Sequence, residues 1–187
     1  MTSERLRQSI HIALFVFAFL LRYLSRWQAA GLLLLLLLTV VVASPRVKSR
    51  IRIHRPGESH YRNGAVLYFL VLLALVLIFP PSVVAATWAV LALGDGAATL
   101  IGRHFTARPL PWNDRKTLAG STAFIIFGTI GACALLYWMV PELGAGNIFS
   151  AALKVSFAAA IVESLPLKVN DNVSVAVAAA IVFSFVL

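Results

Sequence analysis

The stretch LGDGAATLIGRHFTARPLPWNDRKTLAGS, residues 93–121, holds an aspartate inside an apolar run and a basic, proline-punctuated segment directly after it. On insertion scales a charged side chain at the centre of a membrane helix costs about 2.5–3.5 kcal/mol, so such a residue faces protein or a water-filled cavity and has a function by default. Whether Asp95 is one depends on what surrounds it. The flanking Gly94, Gly96, Ala97 and Ala98 are small and permit close approach of a helix or ligand to the backbone. Thr99 lies one helical turn on and shares the face of Asp95.

Outside this stretch the chain is as apolar as a membrane demands. Its 187 residues are 60% hydrophobic and only 12% charged, and the mean hydropathy is +0.90. A soluble domain carries about 25% charged residues. The apolar residues fall in seven long blocks rather than at amphipathic spacing: 9–24, 27–43, 65–79, 82–102, 120–140, 145–167 and 172–187. The expected fold is all-α, a polytopic membrane helix bundle of about seven transmembrane helices forming one domain over 1–187. Pro80-Pro81 and Pro141 break the helical hydrogen-bond ladder and mark turns. The leucine run 32–38 reads as a lipid-facing surface. The first block reads as a retained helix rather than a cleaved signal, since Arg22 and Arg26 follow it and no small-x-small site does. Cys133 is the single cysteine, so no intrachain disulfide forms.

The net charge of +9 would suit nucleic acid, but its placement gives a different reading. With seven spans, thirteen of the sixteen Lys and Arg residues fall on the side of the N-terminus: Arg5, Arg7, Arg46, Lys48, Arg50, Arg52, Arg55, Arg62, Arg103, Arg108, Arg115, Lys116 and Lys168. Arg22 and Arg26 fall on the other side, and Lys154 lies within a span. The positive-inside bias then places the N-terminus and the even-numbered loops in the cytoplasm, in an inner or plasma membrane if the source is bacterial. Nucleic acid is not needed to explain the charge. Four of the seven acidic residues, Asp95, Asp114, Glu163 and Asp171, fall at that same face among the cations.

Two readings stay open for each polar group. Asp95 is a site residue or a buried carboxylate paired with Arg103 or another helix. Glu163, Asp171 and Asn172 either complete an oxygen-rich site for Mg²⁺, a hard cation that shares its shell with phosphates, or are an interfacial acid and a helix-capping turn. The segment from Arg103 to Ser121 is a positive-inside loop with snorkelling cations or a phosphate clamp. In the clamp, Thr117, Gly120 and Ser121 add donors at a helix start. There is no P-loop, no G-x-S-x-G elbow, and no metal-ligand spacing among His11, His54, His60 and His104.

Gly94-Asp95-Gly96-Ala97-Ala98, Gly102-Arg103, Pro111, Lys116-Thr117 and Gly120-Ser121 form an ordered set that resembles the signature of the dolichol kinase and phytol kinase family. Val162-Glu163-Ser164-Leu165-Pro166 and Asn170-Asp171-Asn172 resemble a later segment of that signature, and Arg7 and His11 give a weaker early match. The specific agreement covers 93–121 and 160–172. Thr106 departs from the glycine many members carry after the G-R-x-F motif.

The resemblance implies a membrane kinase that moves the γ-phosphoryl group of CTP to the hydroxyl of an isoprenoid or other lipid alcohol. Arg103, Arg115, Lys116, Thr117, Gly120 and Ser121 would bind the nucleotide. Mg²⁺ would sit on Asp95 with Glu163, Asp171 or Asn172, and Gly94, Gly96 and Gly102 would let backbone approach. Asp95, Glu163 and Lys116 would be the catalytic set, with Asp95 the central metal ligand or Glu163 the acceptor of the hydroxyl proton. The partners are CTP, the lipid alcohol and the bilayer, and a homo-oligomer is allowed for.

The nearest alternative is a phosphatidate cytidylyltransferase, whose long acidic-basic C-terminal signature is missing here. A CDP-alcohol phosphotransferase would need D-G-x-x-A-R and later paired aspartates. A small ion-coupled transporter would show a second broken segment in an inverted repeat.

Overall fold

The computed structural model describes residues 12–47, 64–104 and 108–187, with all side chains except those of 43–47 and 104. In an apolar medium each backbone N–H and C=O needs a partner within its own segment, so apolar blocks become helices. The chain opens with a helical stretch that tightens to 3-10 form over Phe15–Arg22. It continues through α1 (Arg26–Val47), α2 (Gly64–Ile78) and α3 (Pro81–Ala89), a π-helical turn (Val90–Asp95) and α4 (Gly96–His104). A hairpin of β1 (Pro109–Leu110) and β2 (Asn113–Thr117) leads into α5 (Leu118–Met139), a 3-10 turn (Pro141–Leu143), α6 (Ala145–Ser164) and α7 (Asp171–Val186).

Each of the seven apolar blocks therefore holds a helix, and the fold is all-α apart from the hairpin. Three helices, Pro81–Arg103, Leu118–Met139 and Ala145–Ser164, are long and apolar enough to cross a membrane. The four at Ile12–Arg22, Arg26–Val42, Gly64–Ile78 and Asp171–Val186 are apolar but shorter.

Pro81–Arg103 is the axis of the bundle: 72% of its most apolar 18-residue stretch is buried, against 44% of that of Leu118–Met139 and 39% of that of Ala145–Ser164. Its α3, π and α4 parts all pack on α5, and α5 packs in turn on α6. Small residues on α5 make these crossings close. A Cβ at Gly131 would lie 2.6 Å from Leu93 Cδ1, and one at Gly128 would lie 3.1 Å from Ser156 Oγ. Around this seam Trp88, Tyr68, Phe69, Phe124 and Phe183 are fully buried.

The two proline signals do what the sequence predicts. Pro80 caps α3 and Pro81 occupies its first turn, where a missing N–H costs nothing. Pro141 opens the 3-10 turn that ends on Gly144, whose φ of +76° is a conformation that disfavours any residue with a Cβ.

Three local features differ from the sequence reading. The first block is partly 3-10, the fourth is interrupted by the π turn, and the segment read as a basic loop contains a two-stranded hairpin. Arg5, Arg7, His11, Lys48, Arg50, Arg52, His54, Arg55, His60, Arg62 and Thr106 lie outside the described residues, as do the side chains of Arg46 and His104.

Candidate active site

Asp95 is the last residue of the π turn, and α4 starts at the next position. A π turn inserts one residue into the i→i−4 ladder and turns the following face of the helix; such insertions are frequent at functional sites. Beyond it, Thr99, Gly102 and Arg103 continue along α4 and line the same cavity as Asp95.

The hairpin closes that cavity from the side. Thr117 caps α5 by accepting a hydrogen bond from the Gly120 N–H at 3.1 Å. Gly102 and Gly120 allow α4 and α5 to meet there. A Cβ at Gly102 would come within 3.0 Å of Thr117 Oγ1, and one at Gly120 within 3.1 Å of the Ala98 carbonyl. At its tip the hairpin is tied to the C-terminal end of α6. Asn113 Nδ2 donates to the Ser164 carbonyl at 3.0 Å, satisfying a helix-end acceptor, and the Trp112 indole donates to Ser164 Oγ at 3.3 Å.

Lys116 ties the hairpin to two more elements. Its ammonium bonds Glu163, near the end of α6, and Asp171 Oδ2, at the start of α7, the latter at 2.8 Å. The Glu163 side chain is only 4% exposed, so its charge depends on this pairing, whereas that of Asp171 is 45% exposed. Burial pulls the Lys116 ammonium down, but the Glu163 and Asp171 carboxylates outweigh it and hold its pKa above the usual lysine value. Asn170 caps α7 through its side chain, accepting from the Asn172 N–H at 3.0 Å. Asn172 in turn donates to the Gly64 carbonyl at 2.8 Å and so fixes the start of α2 against α7.

The result is one cavity of about 1170 Å³ at one end of the helices. Asp95, Arg103, Arg115, Lys116, Thr117, Ser121, Glu163, Asp171 and Asn172 line it, with Gly102 and Gly120. These side chains reach one place from the π turn, α4, the hairpin, α5, α6 and α7. Ser121 Oγ is buried there without a hydrogen-bond partner in the protein, leaving its donor and acceptor capacity unspent.

Two of the glycines lie off this cavity. Gly94 does not line the cavity; a Cβ there would lie 3.1 Å from the Phe124 ring, so it admits an aromatic side chain. Gly96 is also outside the lining set and is the first residue of α4. The sequence reading gave no site role to Asn170, Trp112 or Asn113. An Asn directly before Asp171 is a recognisable cap signal, but nothing local foretells that the hairpin reaches Ser164.

Fold and site together define an apolar helical protein with a large charged cavity at one end of its helices. Curated relatives give that class a family. The chain is similar to a probable chloroplastic phytol kinase of Zea mays, 34% identical over 150 residues, covering 73% of this chain and 47% of the relative. It is similar to phytol kinase 1 of Arabidopsis thaliana, 33% identical over 124 residues, 62% of this chain and 41% of the relative. With the farnesol kinase of Arabidopsis thaliana it shares 33% identity over 97 residues, 49% of this chain and 31% of that one. The chain is a relative of the phytol and farnesol kinases, the family whose signature its two motif blocks resemble. It spans less than half the length of each of these relatives. No family model and no solved structure matches it.

Proposed function

We propose that the protein is a CTP-dependent lipid-alcohol kinase, acting on an alcohol of the phytol, farnesol or polyprenol type. The observation that carries this reading is the meeting of four carboxylates and four cations, Asp95, Asp114, Glu163, Asp171, Arg103, Arg115, Lys116 and Lys168, in one cavity at the end of an apolar bundle. Phosphoryl transfer asks little covalent chemistry of a protein; it needs an aligned hydroxyl and neutralisation of the charge on the transferring group. Cations from the hairpin and α4 serve the phosphates. The apolar helices keep the alcohol's tail in lipid while its hydroxyl reaches the cavity mouth. Similarity to kinases of two isoprenoid alcohols supports the substrate class.

In this reading all seven apolar helices form a single membrane domain, with the N-terminus and the cavity on the cytoplasmic side. The placement of cations supports that orientation: Arg103, Arg115, Lys116 and Lys168 line the cavity, while Arg22 and Arg26 sit at the other end of the bundle.

Mg²⁺ fits the residues present. Among the described residues no three His, Cys, Asp or Glu side chains converge as a ready-made metal cage. Mg²⁺ does not require one, since it is commonly held by one or two carboxylates together with substrate phosphates and water. Glu163 and Asp171 already converge on one ammonium, and Asp95 lines the same cavity. These three, with the Asn172 side chain, would hold the ion, which supplies charge neutralisation to the phosphates. Arg103 and Arg115, which line the same cavity, would orient the nucleotide.

The test is transfer from CTP labelled at the α or the γ position, with ATP as the competing donor and phytol, farnesol, geranylgeraniol and longer polyprenols as acceptors. Label from the γ position alone in the lipid phase supports the kinase. Label from the α position in lipid would replace it with a cytidylyltransferase.

A further inference from the structure

Lys116 stands where a divalent cation would. Its ammonium is the shared partner of Glu163 and Asp171, which come from two different helices and would otherwise face each other as like charges. Glu163 is almost fully buried, and Asp95 lines the same cavity, so removing the ammonium would leave an uncompensated carboxylate at the base of the site. Lys116 is carried by β2, a five-residue strand, whereas its two partners sit at helix ends.

We infer that Lys116 is a resident counter-ion that occupies the Glu163–Asp171 cation site until the metal–nucleotide pair arrives, when the ion takes over the two carboxylates and the lysine is transferred to the phosphates. This rests on the reading of Glu163 and Asp171 as cation ligands given above. The exchange leaves no charge unpaired at any stage: a divalent ion replaces the single positive charge on the two carboxylates, and the released ammonium meets the incoming anion. It makes the two ligands interdependent. The metal alone must compete with a tethered ammonium, and the nucleotide alone must draw Lys116 away from a buried carboxylate. Each therefore promotes the other's binding, as linkage requires. The hairpin follows Lys116, so loading also moves the strand that lines the cavity.

The experiment uses the purified full chain in detergent, with Mn²⁺ as the probe, followed by its electron paramagnetic resonance signal. It is run at about pH 8, where protons compete least for carboxylate ligands. Without nucleotide, Lys116→Gln is expected to bind Mn²⁺ about tenfold or more tighter than the wild type, within the usual range of coupling between sites. Adding Glu163→Gln to that variant should abolish the gain. In the wild type, CTP should tighten Mn²⁺ by a similar factor, and in Lys116→Gln that factor should shrink. If Lys116→Gln binds Mn²⁺ no tighter than the wild type, or keeps its gain without Glu163, the inference is overturned. Should that variant not fold, the wild type decides: an Mn²⁺ affinity unchanged by CTP overturns it. Transfer in the wild type without the Mn²⁺ effects removes this inference and leaves the kinase, whereas the Mn²⁺ effects without transfer to any alcohol do the reverse.

Discussion

At Met139 helix α5 ends beside Trp138, whose indole donates to the Phe19 carbonyl at 3.1 Å and carries the Arg22 guanidinium 5.0 Å above its ring. At Leu118, about 30 Å away at 1.5 Å per residue, the same helix begins under the hairpin and the charged cavity. The far end is built from aromatic rings, with Tyr23 edge-on to Trp138, Trp27 and Tyr137 exposed close to these in sequence, and Arg22 over the Trp138 ring. Those residues suit a membrane–water boundary, where amphipathic rings gather. At the cavity end, acids and bases come from five elements and are held by specific hydrogen bonds. Both ends carry arginine, yet one end uses it as an anchor and the other gathers it with carboxylates. The difference is why the proposed site is assigned to one end of an otherwise uniform apolar bundle.

That contrast can be broken by substitution at each end. Glu163→Gln removes a buried carboxylate from the cavity; transfer should fall by about 10²–10³-fold, the loss typical of deleting one preorganised electrostatic group. Trp138→Phe, at the other end, should leave transfer within about twofold while lowering thermal stability in detergent by about 1 kcal/mol for the lost indole bond. Equal losses of transfer at both ends would remove the distinction.

Smaller effects sharpen it. Gly120→Ala forces a Cβ towards the Ala98 carbonyl and the capping Thr117 hydroxyl, neither of which swings freely, and should destabilise the protein by about 1–3 kcal/mol in thermal unfolding. Asn113→Ala frees the hairpin tip from Ser164 and should lower stability by about 1 kcal/mol; protease should also cut within 108–117 faster than in the wild type.

The pH dependence of Lys116 has a definite sign. Its pKa is raised above the ordinary 10.5, so the stability it contributes is fully present below that value and is lost as pH rises through the folded-state pKa. The stability difference between wild type and Lys116→Gln should therefore be flat from neutral pH to about 10 and shrink only above 10.5, as read by chemical denaturation.

Much of this layout is legible in the chain itself, because helix formation in apolar blocks and proline at turns are local effects. Pro80-Pro81 and Pro141 fall at observed helix boundaries. Asp95 announces itself by being charged where its neighbours are apolar. What is not legible depends on distance. The π turn ending at Asp95 depends on how α5 packs against it, and Leu93 reaches Gly131 across that seam. The Trp112 and Asn113 contacts to Ser164 join positions about fifty residues apart, and so does the pairing of Lys116 with two carboxylates. Read locally, Lys116 is a phosphate ligand; in the folded chain it first serves Glu163 and Asp171. Gly94 shows the converse: a small residue next to Asp95 makes room for the Phe124 ring rather than lining the cavity.

The central claim is that Asp95, at the end of the π turn, is the acid around which a phosphoryl group is transferred to a lipid alcohol. The direct measurement is transfer of γ-label from CTP to phytol or farnesol by the purified wild type and by Asp95→Asn, with helix content monitored in both. The account predicts label in the lipid with wild type and its loss by at least about 10²-fold in the variant at unchanged helix content. Full transfer by Asp95→Asn, or no lipid-borne label with any alcohol in the wild type, would contradict it.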